Sequence, residues 1–219
     1  MKIDGLEIDG REVHGEGGFL TIQRVHLRNQ RSDGSSSEPY ICDFASRPRG
    51  VDAVAVVVYR RKGQGVEVLM RSGLRPALQL GRTGAIPIDN EAVPLMLWEV
   101  VAGIIERGDR GEQGIRDRAA EEVWEEAGYR VGPDQIEDLG APFYASPGSL
   151  CERVYAAVVE IDSQAVQAPL AGDGSPMEEG ATTRWVELGA AIAECVAGYI
   201  QDLKTEVLLR RLRDALDDS

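Results

Sequence analysis

The chain has 219 residues, enough for one hydrophobic core with a small appendage. Its net charge of −13 argues against binding a nucleic-acid backbone, which favours clustered Lys and Arg. No apolar run approaches the roughly 18 residues of a membrane span, and the first residues are too polar for a signal peptide. Three scattered cysteines predict reduced thiols. We therefore expect a cytoplasmic protein whose partners include no nucleic acid and no membrane.

Residues 1–50 form a segment that is rich in residues typical of β-strands. Two β-rich runs, GGFLTIQRVHLRNQ and PYICDFAS, are separated by the turn signal RSDGSSSE. Their apolar content is too low for an independent domain, so we expect this β segment to pair with another surface. The remaining residues, 51–219, are predicted to form the main domain.

The first half of the main domain reads as strands followed by one helix. Residues 53–59 are a continuous β-branched run, typical of a strand buried on both faces, and residues 66–72 return antiparallel to it. A long connection rich in Pro and Gly follows over 76–97. A strand over 97–103 then leads through a glycine loop into a helix over 112–127.

The residue pattern of the second half predicts strands, an acidic loop and two helices. These elements span residues 139–148, 152–161, 171–181, 183–188, 190–197 and 201–216. The last helix is amphipathic, with a broad apolar face made of Leu203, Val207, Leu209, Leu212 and Leu216. Strands on both sides of one long helix, with helices at the end, predict an α+β fold in which a mixed sheet lies between helical layers.

The helix over 112–127 is strongly acidic near its end. Helical spacing places Glu122, Glu125 and Glu126 on one face, while the apolar residues between them can face a core. An acidic run of this kind is most often a solvated face. The alternative is a metal site, because clustered carboxylates repel one another until hard divalent cations, which prefer oxygen ligands, bind between them.

The segment AGIIERGDRGEQGIRDRAAEEVWEEAGY, residues 102–129, resembles the Nudix box, whose helix ends in Arg-Glu-apolar-x-Glu-Glu-x-Gly-apolar. By this resemblance Gly103 matches the opening glycine and Gly128 the glycine that closes the helix. The residues that match metal ligands are Ala102, through its carbonyl, with Glu122, Glu125 and Glu126. The resemblance implies a Nudix-type α/β/α sandwich that binds Mg²⁺, with Mn²⁺ as the alternative.

Two features depart from the family pattern. Glu121 stands where the family has an arginine, four residues before Glu125, which makes a destabilising pair of like charges. Arg118 is predicted to replace that arginine by pairing with Glu122 or Glu125. The loop between Gly103 and the helix is also longer than in the family pattern, and its glycines absorb the extra length at little entropic cost.

Weaker matches extend over most of the chain and resemble the branch that acts on ADP-ribose and nucleoside-diphosphate sugars. They are Arg75-Pro76, Glu99 in WEVVAG, Pro147-Gly148 in ASPG, Glu178 and Glu179 in MEEGA, and the Asp-x-Lys-Thr of QDLKT. The resemblance implies substrate-binding roles for Arg75, Glu99, Gly103, Pro147 and Gly148. Taken singly, each match has a plainer reading as a surface arginine, a turn or solvated loop carboxylates.

The resemblance implies Mg²⁺-dependent hydrolysis of the pyrophosphate bond of ADP-ribose or a related nucleotide sugar. The cations would neutralise the diphosphate and lower the pKa of a bound water. The general base would be Glu179 or Glu178 from the acidic loop, with Glu125 of the helix as a further candidate. The products would be a nucleoside monophosphate and a sugar phosphate.

The resemblance also implies a homodimer, because in this branch an N-terminal strand segment like residues 1–50 swaps between subunits. A second hypothesis is a non-catalytic Nudix-fold protein that binds a nucleotide or a protein partner. Glu121 argues for the second hypothesis, and the intact carboxylates Glu122, Glu125 and Glu126 argue for the enzyme. The sequence does not choose between ADP-ribose, UDP-glucose and GDP-mannose. The swapped segment argues against dinucleoside polyphosphates and nucleoside triphosphates.

Overall fold

The computed structural model describes residues 3–82, 86–88, 93–172 and 174–217. In chain order its strands and α-helices are β1 (Ile3–His14), β2 (Thr21–Arg31), β3 (Tyr40–Ser46), β4 (Ala53–Lys62), β5 (Gly65–Leu74), α1 (Pro76–Gly81), β6 (Met96–Glu99), β7 (Val101–Ile104), α2 (Gly111–Glu122), β8 (Glu137–Asp138), β9 (Phe143–Tyr144), β10 (Arg153–Glu160), β11 (Thr183–Glu187), α3 (Leu188–Ala197) and α4 (Leu203–Asp217). A π-helical turn, Val123–Ala127, continues α2.

The N-terminal segment forms an antiparallel sheet of its own, in the order β1-β2-β3. Its contacts with the main domain include a backbone hydrogen bond of 2.8 Å from Ala45 N to Ser149 O and an ion pair between Arg47 and Glu152. The described part of residues 1–50 thus contains three strands, as their two β-rich runs indicated in part. The exchange of this segment between subunits stays a prediction.

The main sheet is built around β4. Its strand order is β11-β5-β4-β10-β8, and β6, β7 and β9 pair beside β5, β4 and β10 respectively. β4 and β10 are parallel, whereas the other pairs are antiparallel, so the sheet is mixed. The β-branched run of β4 is buried throughout Ala53–Val58, as expected for a central strand covered on both faces.

Helices cover both faces of this sheet. Val54 and Val56 of β4 pack in one apolar cluster with Val123 and Ala127 from the π-helical turn after α2. Val57 packs in a second cluster with buried residues of α3 and α4, such as Ile192, Leu208 and Leu209. Alternate residues of one strand thus face two different helical layers. The predicted mixed sheet between helical layers is confirmed.

The predicted single strand over 97–103 is two strands. β6 pairs with β5 and β7 pairs with β4, so the chain changes partner at the buried Val100. The backbone N–H of Val100 donates to Thr205 Oγ1 over 2.9 Å, and the Thr205 hydroxyl donates to Asp202 Oδ2 over 2.6 Å. The start of α4 therefore satisfies a backbone group that a continuous ladder would have paired.

Three other sequence expectations need correction. Within residues 139–148 only Phe143–Tyr144 is paired as a strand, because the stretch is interrupted by turns. The connection over 76–97 contains α1, while positions 83–85 and 89–92 lie outside the described residues. On α4, Leu208 is buried and Leu203 is 54% exposed, so the apolar face begins after the first turn.

Among the helices that the structure describes, none is long and apolar enough to cross a membrane.

Candidate active site

The acidic helix ends in an unusual turn. Residues 123–127 are π-helical, and the chain closes at Gly128, whose φ of +72° lies in the left-handed region. Tyr129 N donates to Val123 O over 3.5 Å and Gly128 N to Trp124 O over 3.1 Å, a closure that satisfies carbonyls at the helix end. Gly128 therefore ends the helix as predicted. Single π-helical turns within helices are frequent at functional sites.

Two of the predicted metal ligands pack against β7. Glu126 Oε2 accepts a hydrogen bond of 3.0 Å from Ala102 N. Glu122 lies over Gly103 so closely that a Cβ on this glycine would come within 1.7 Å of Glu122 Oε1. The opening glycine is thus needed to admit a carboxylate. The structure brings together Ala102, Gly103, Glu122 and Glu126, and their role in binding metal or substrate stays a prediction.

The environment of these two carboxylates disfavours their ionised forms. Burial raises the pKa of Glu122, and repulsion from Glu126 and Glu125 raises it further. Burial also raises the pKa of Glu126, although the Arg71 guanidinium and the Ala102 N–H oppose that rise. Positive charge brought to this place would be stabilised by both carboxylates.

Arg71 is a site residue that the sequence analysis missed. Its side chain is buried on β5, where Nη1 lies 3.1 Å from Glu126 Oε1 and Nη2 lies 2.8 Å from Glu178 Oε1. It thereby ties the acidic loop to the acidic helix. The available signal was a cation at the end of an otherwise apolar run, VLMRS, because a buried strand rarely carries an unpaired charge.

The two loop glutamates occupy different environments. Glu178 is half-buried and faces the site through Arg71, whereas Glu179 is exposed. Both line a cavity of about 390 Å³ together with Glu125. Gly172 N donates to Glu125 O over 3.0 Å, so the backbone of the loop is fixed to the helix end.

A second cavity, of about 290 Å³, opens beside β7 and includes Ala102 and Gly103 in its wall. Arg75 and Glu99, both predicted to bind substrate, also line it, and Arg75 Nη2 lies 2.5 Å from Glu99 Oε2. Lys204 of α4 contacts the other carboxylate oxygen, with Nζ 2.6 Å from Glu99 Oε1. The structure therefore adds a second cation to this pair.

Two sequence expectations fit this site less well. Pro147 and Gly148 lie on an exposed turn outside the walls of both cavities, so their substrate role stays a prediction. The pairing proposed for Arg118 was wrong. Its guanidinium contacts Asp109 Oδ2 at 3.0 Å and Glu121 Oε2 at 2.9 Å. Glu121, the departure from the family pattern, is thereby paired one turn along the helix, which relieves its repulsion.

The potential ligand atoms are of the chemical type that suits a hard divalent cation. Carboxylates and a backbone carbonyl are the oxygen ligands that Mg²⁺ prefers, and Glu122 and Glu126 are close enough to repel. Within the described residues, however, no three His, Cys, Asp or Glu side chains converge in a metal-binding arrangement. Arg71 occupies one side of Glu126. A cation bound here would have to share Glu126 with Arg71 or displace that contact.

Comparisons with known proteins identify the fold. No family model matches the chain, and no curated protein matches it. A solved ADP compounds hydrolase superposes with a TM-score of 0.67 at 15% identity, covering 100% of this chain and 97% of that one. An Ap4A hydrolase of C. elegans (TM-score 0.45, 17% identity, 77% and 99% covered) and the NUDIX domain of Shewanella oneidensis NrtR with ADP ribose (0.44, 17%, 76% and 88%) resemble it more loosely. The chain has the Nudix fold, as the sequence resemblance implied.

The burial of Glu122 predicts a pH-dependent effect of substitution in the absence of metal. Its pKa is raised from 4.5 to about 8, so the folded state binds the proton more tightly than the unfolded state does. The wild type should therefore lose stability as the pH rises from about 4.5 towards 8. Glu122→Gln removes that loss, and its melting temperature in EDTA should exceed that of the wild type by several degrees at pH 8, where ~1 kcal/mol corresponds to about 2–4 °C.

The gain should shrink at pH 5, because most of the wild-type loss of stability occurs between pH 5 and the folded-state pKa of about 8. Glu121→Gln is the matched control, because Glu121 lies on the same helix but is exposed. An equal gain in melting temperature at both pH values, or the same gain in the control, would contradict the raised pKa of Glu122. Circular dichroism melts of the three proteins provide the measurement.

Proposed function

We propose that this protein is a divalent-metal-dependent hydrolase that cleaves the pyrophosphate bond of ADP-ribose or a related nucleoside-diphosphate sugar. The observation that carries the proposal is the packing of Glu122 and Glu126 on Ala102–Gly103, beside a cavity lined by cations. The Nudix fold supports it. The expected products are a nucleoside monophosphate and a sugar phosphate.

The residues that would hold Mg²⁺, or Mn²⁺ in its place, are Glu122, Glu125, Glu126 and the carbonyl of Ala102. A bound cation would neutralise the charge of the diphosphate. It would also lower the pKa of a bound water, so that hydroxide is available as the nucleophile near neutral pH. The protein's own contribution is to hold half-buried carboxylates together at a fixed position on β7. The protein alone does not neutralise these carboxylates, because the single charge of Arg71 is shared by ion pairs with Glu126 and Glu178.

Glu178 is our candidate for the general base, ahead of Glu179 and Glu125. Its side chain already reaches the site through Arg71, whereas Glu179 is exposed. The ion pair holds the Glu178 carboxylate at the site, where its Oε1 lies 2.8 Å from Arg71 Nη2. A general base must lie within hydrogen-bonding reach of the proton that it takes.

Arg75 is proposed to contact a phosphate of the substrate. A guanidinium matches phosphate geometry with two parallel donors, and Arg75 lines the cavity that adjoins the carboxylates. Glu99 is buried beneath it and sets its position. The most informative survey is a panel of nucleotide sugars, including ADP-ribose, UDP-glucose and GDP-mannose, assayed with Mg²⁺ for release of the sugar phosphate.

A second candidate function is binding of a nucleotide without hydrolysis. The observation that favours it is the contact of Arg71 with Glu126, which competes with a metal for one ligand. Under this alternative, nucleotide sugars bind but no phosphate ester is released at any Mg²⁺ or Mn²⁺ concentration. The survey above therefore separates the two functions when binding is measured beside turnover.

Metal dependence is the central test. Hydrolysis should require Mg²⁺ or Mn²⁺ and should stop in excess EDTA. Glu126→Gln should lower kcat on the order of 100-fold or more, because it weakens several kcal/mol of charge stabilisation and each ~1.4 kcal/mol is tenfold in rate. Glu121→Gln on the same helix should retain activity within a few-fold. Undiminished turnover in EDTA, or by Glu126→Gln, would refute the placement of the metal site.

The two loop glutamates provide a matched pair of substitutions. Glu178→Gln should lower kcat by roughly 10²- to 10⁴-fold, the usual contribution of a general base. Glu179→Gln should change kcat by less than a few-fold, because its side chain is exposed. Steady-state kinetics at saturating Mg²⁺ give both values. The reverse ranking would assign the base to Glu179, and two active variants would leave Glu125 as the candidate.

We also propose that the protein is a cytoplasmic homodimer in which residues 1–50 contribute strands to the partner. The support is an N-terminal sheet of three strands, too small to bury a core of its own, with large apolar side chains exposed. These include Ile8, Phe19, Ile22 and Ile41.

Truncation tests the dimer. A protein that begins at residue 46 should aggregate or lose activity, and the full chain should elute at twice its monomer mass of 23.8 kDa, as measured by light scattering. The full chain eluting as a monomer would refute the dimer. A soluble, fully active truncated monomer would show that the segment is dispensable to the site.

A further inference from the structure

The start of α4 is joined to the candidate substrate cavity by a chain of polar contacts. Lys204 Nζ lies 2.6 Å from Glu99 Oε1 and 2.9 Å from Asp202 Oδ1. Asp202 is held in turn by Thr205, whose backbone N–H donates to Asp202 Oδ2 over 2.9 Å. Thr205 also accepts the N–H of Val100, next to Glu99. Glu99 is therefore fixed from the α4 side through both its side chain and its backbone.

The contact of Glu99 with Arg75 is of a different kind. Arg75 Nη2 comes within 2.5 Å of Glu99 Oε2, yet this oxygen is buried and accepts no well-directed hydrogen bond from any residue that the structure describes. The Arg75 side chain is 37% exposed, whereas that of Glu99 is 6% exposed. Apart from a hydrogen bond of 3.2 Å from its Nη1 to Leu74 O, Arg75 is held by charge, and it is the member of the pair that can turn into the cavity.

Charge decides how freely Arg75 can turn away. A buried carboxylate left without a cation is strongly destabilised, so Arg75 can leave Glu99 only if another cation compensates that carboxylate. Lys204 is the cation in contact with the other oxygen of Glu99. Burial alone would favour neutral Lys204, but Asp202 and Glu99 outweigh that effect and raise its pKa, so the side chain is charged at neutral pH.

We infer that Lys204 is a positioning residue that compensates Glu99 and so releases Arg75 to bind the diphosphate of the substrate. The inference rests on the proposed function, because it takes Arg75 as a phosphate contact. It gives the Asp-x-Lys-Thr sequence at residues 202–205 a role in substrate affinity as well as in folding. Lys204 itself stays bound to Glu99 and Asp202 and does not contact the reacting atoms.

The test compares Lys204→Met with Arg75→Met and with the double variant. Lys204→Met should raise KM at least tenfold and change kcat by no more than about twofold, because Arg75 is then retained by Glu99. Arg75→Met should raise KM in the same way. The double variant should be no worse than Arg75→Met, since sites that act through one another are not additive; its melting temperature is measured first, because Glu99 is then left without either cation. Lys62→Met, at the exposed end of β4, is the matched control and should leave KM unchanged.

Binding provides a readout that does not depend on turnover. Calorimetry with ADP in EDTA should show the same tenfold weakening for Lys204→Met and no further weakening in the double variant. If the wild type binds ADP but hydrolyses no nucleotide sugar, the proposed function fails while this inference is still decided by the binding data. Lys204→Gln, which removes the charge but keeps a donor for Glu99, replaces Lys204→Met if the latter does not fold.

Three results would overturn the inference. One is a lower melting temperature for Lys204→Met with unchanged KM and unchanged ADP affinity, which is what a purely structural lysine predicts. Another is an additive effect in the double variant, which would show that Lys204 acts independently of Arg75. The last is a fall in kcat with KM unchanged, which would place Lys204 in the chemical step.

Discussion

The structure depends on one electrostatic constraint: two carboxylates, Glu122 and Glu126, are packed, largely out of solvent, against a strand of the central sheet. Burying a charge is costly unless it is paired, and these two also repel each other. Much of the surrounding architecture serves to make this burial possible. Gly103 leaves room for Glu122, the Ala102 N–H binds Glu126, and Arg71 supplies one positive charge.

The helix changes its geometry at these carboxylates. α2 is regular up to Glu122 and then becomes π-helical over Val123–Ala127 before Gly128 ends it. Val123 and Ala127 must enter the core while Glu122 and Glu126 face β7. A wider turn alters the angular spacing of residues that a regular helix would fix. An apolar face and a carboxylate face thus lie side by side over residues 122–127.

Cations are distributed around the site in two groups that meet at β7. Arg71 joins the acidic loop to the acidic helix, and Arg75 with Lys204 compensates Glu99 at the neighbouring cavity. The strand change at Val100 makes this arrangement possible, because it lets one short stretch of chain carry Glu99 towards β5 and Ala102 towards β4. Thr205 fixes that change from α4. A helix at the far end of the sequence therefore shapes the wall of the cavity beside β7.

The sequence by itself determined the features that depend on local pattern. The β-branched run of β4, the glycine that ends the acidic helix and the apolar faces of the helices predicted a mixed sheet between helical layers. Spacing and resemblance also selected Ala102, Gly103, Glu122 and Glu126. This was possible because the strand residues and the carboxylates that pack on them lie in one continuous segment of the sequence.

Only the tertiary structure decided which distant residues meet. Arg71 is separated from Glu178 by 107 positions and Lys204 from Glu99 by 105, and no periodicity encodes such pairs. The sequence could not separate Glu178 from Glu179, because which neighbour faces inward depends on how the loop is held by Arg71. It assigned Arg118 to Glu122 or Glu125, whereas the fold brings Asp109 to the guanidinium. Local pattern fixes which face of an element is apolar, but the pairing of charges follows from the packing of elements that are remote in the chain.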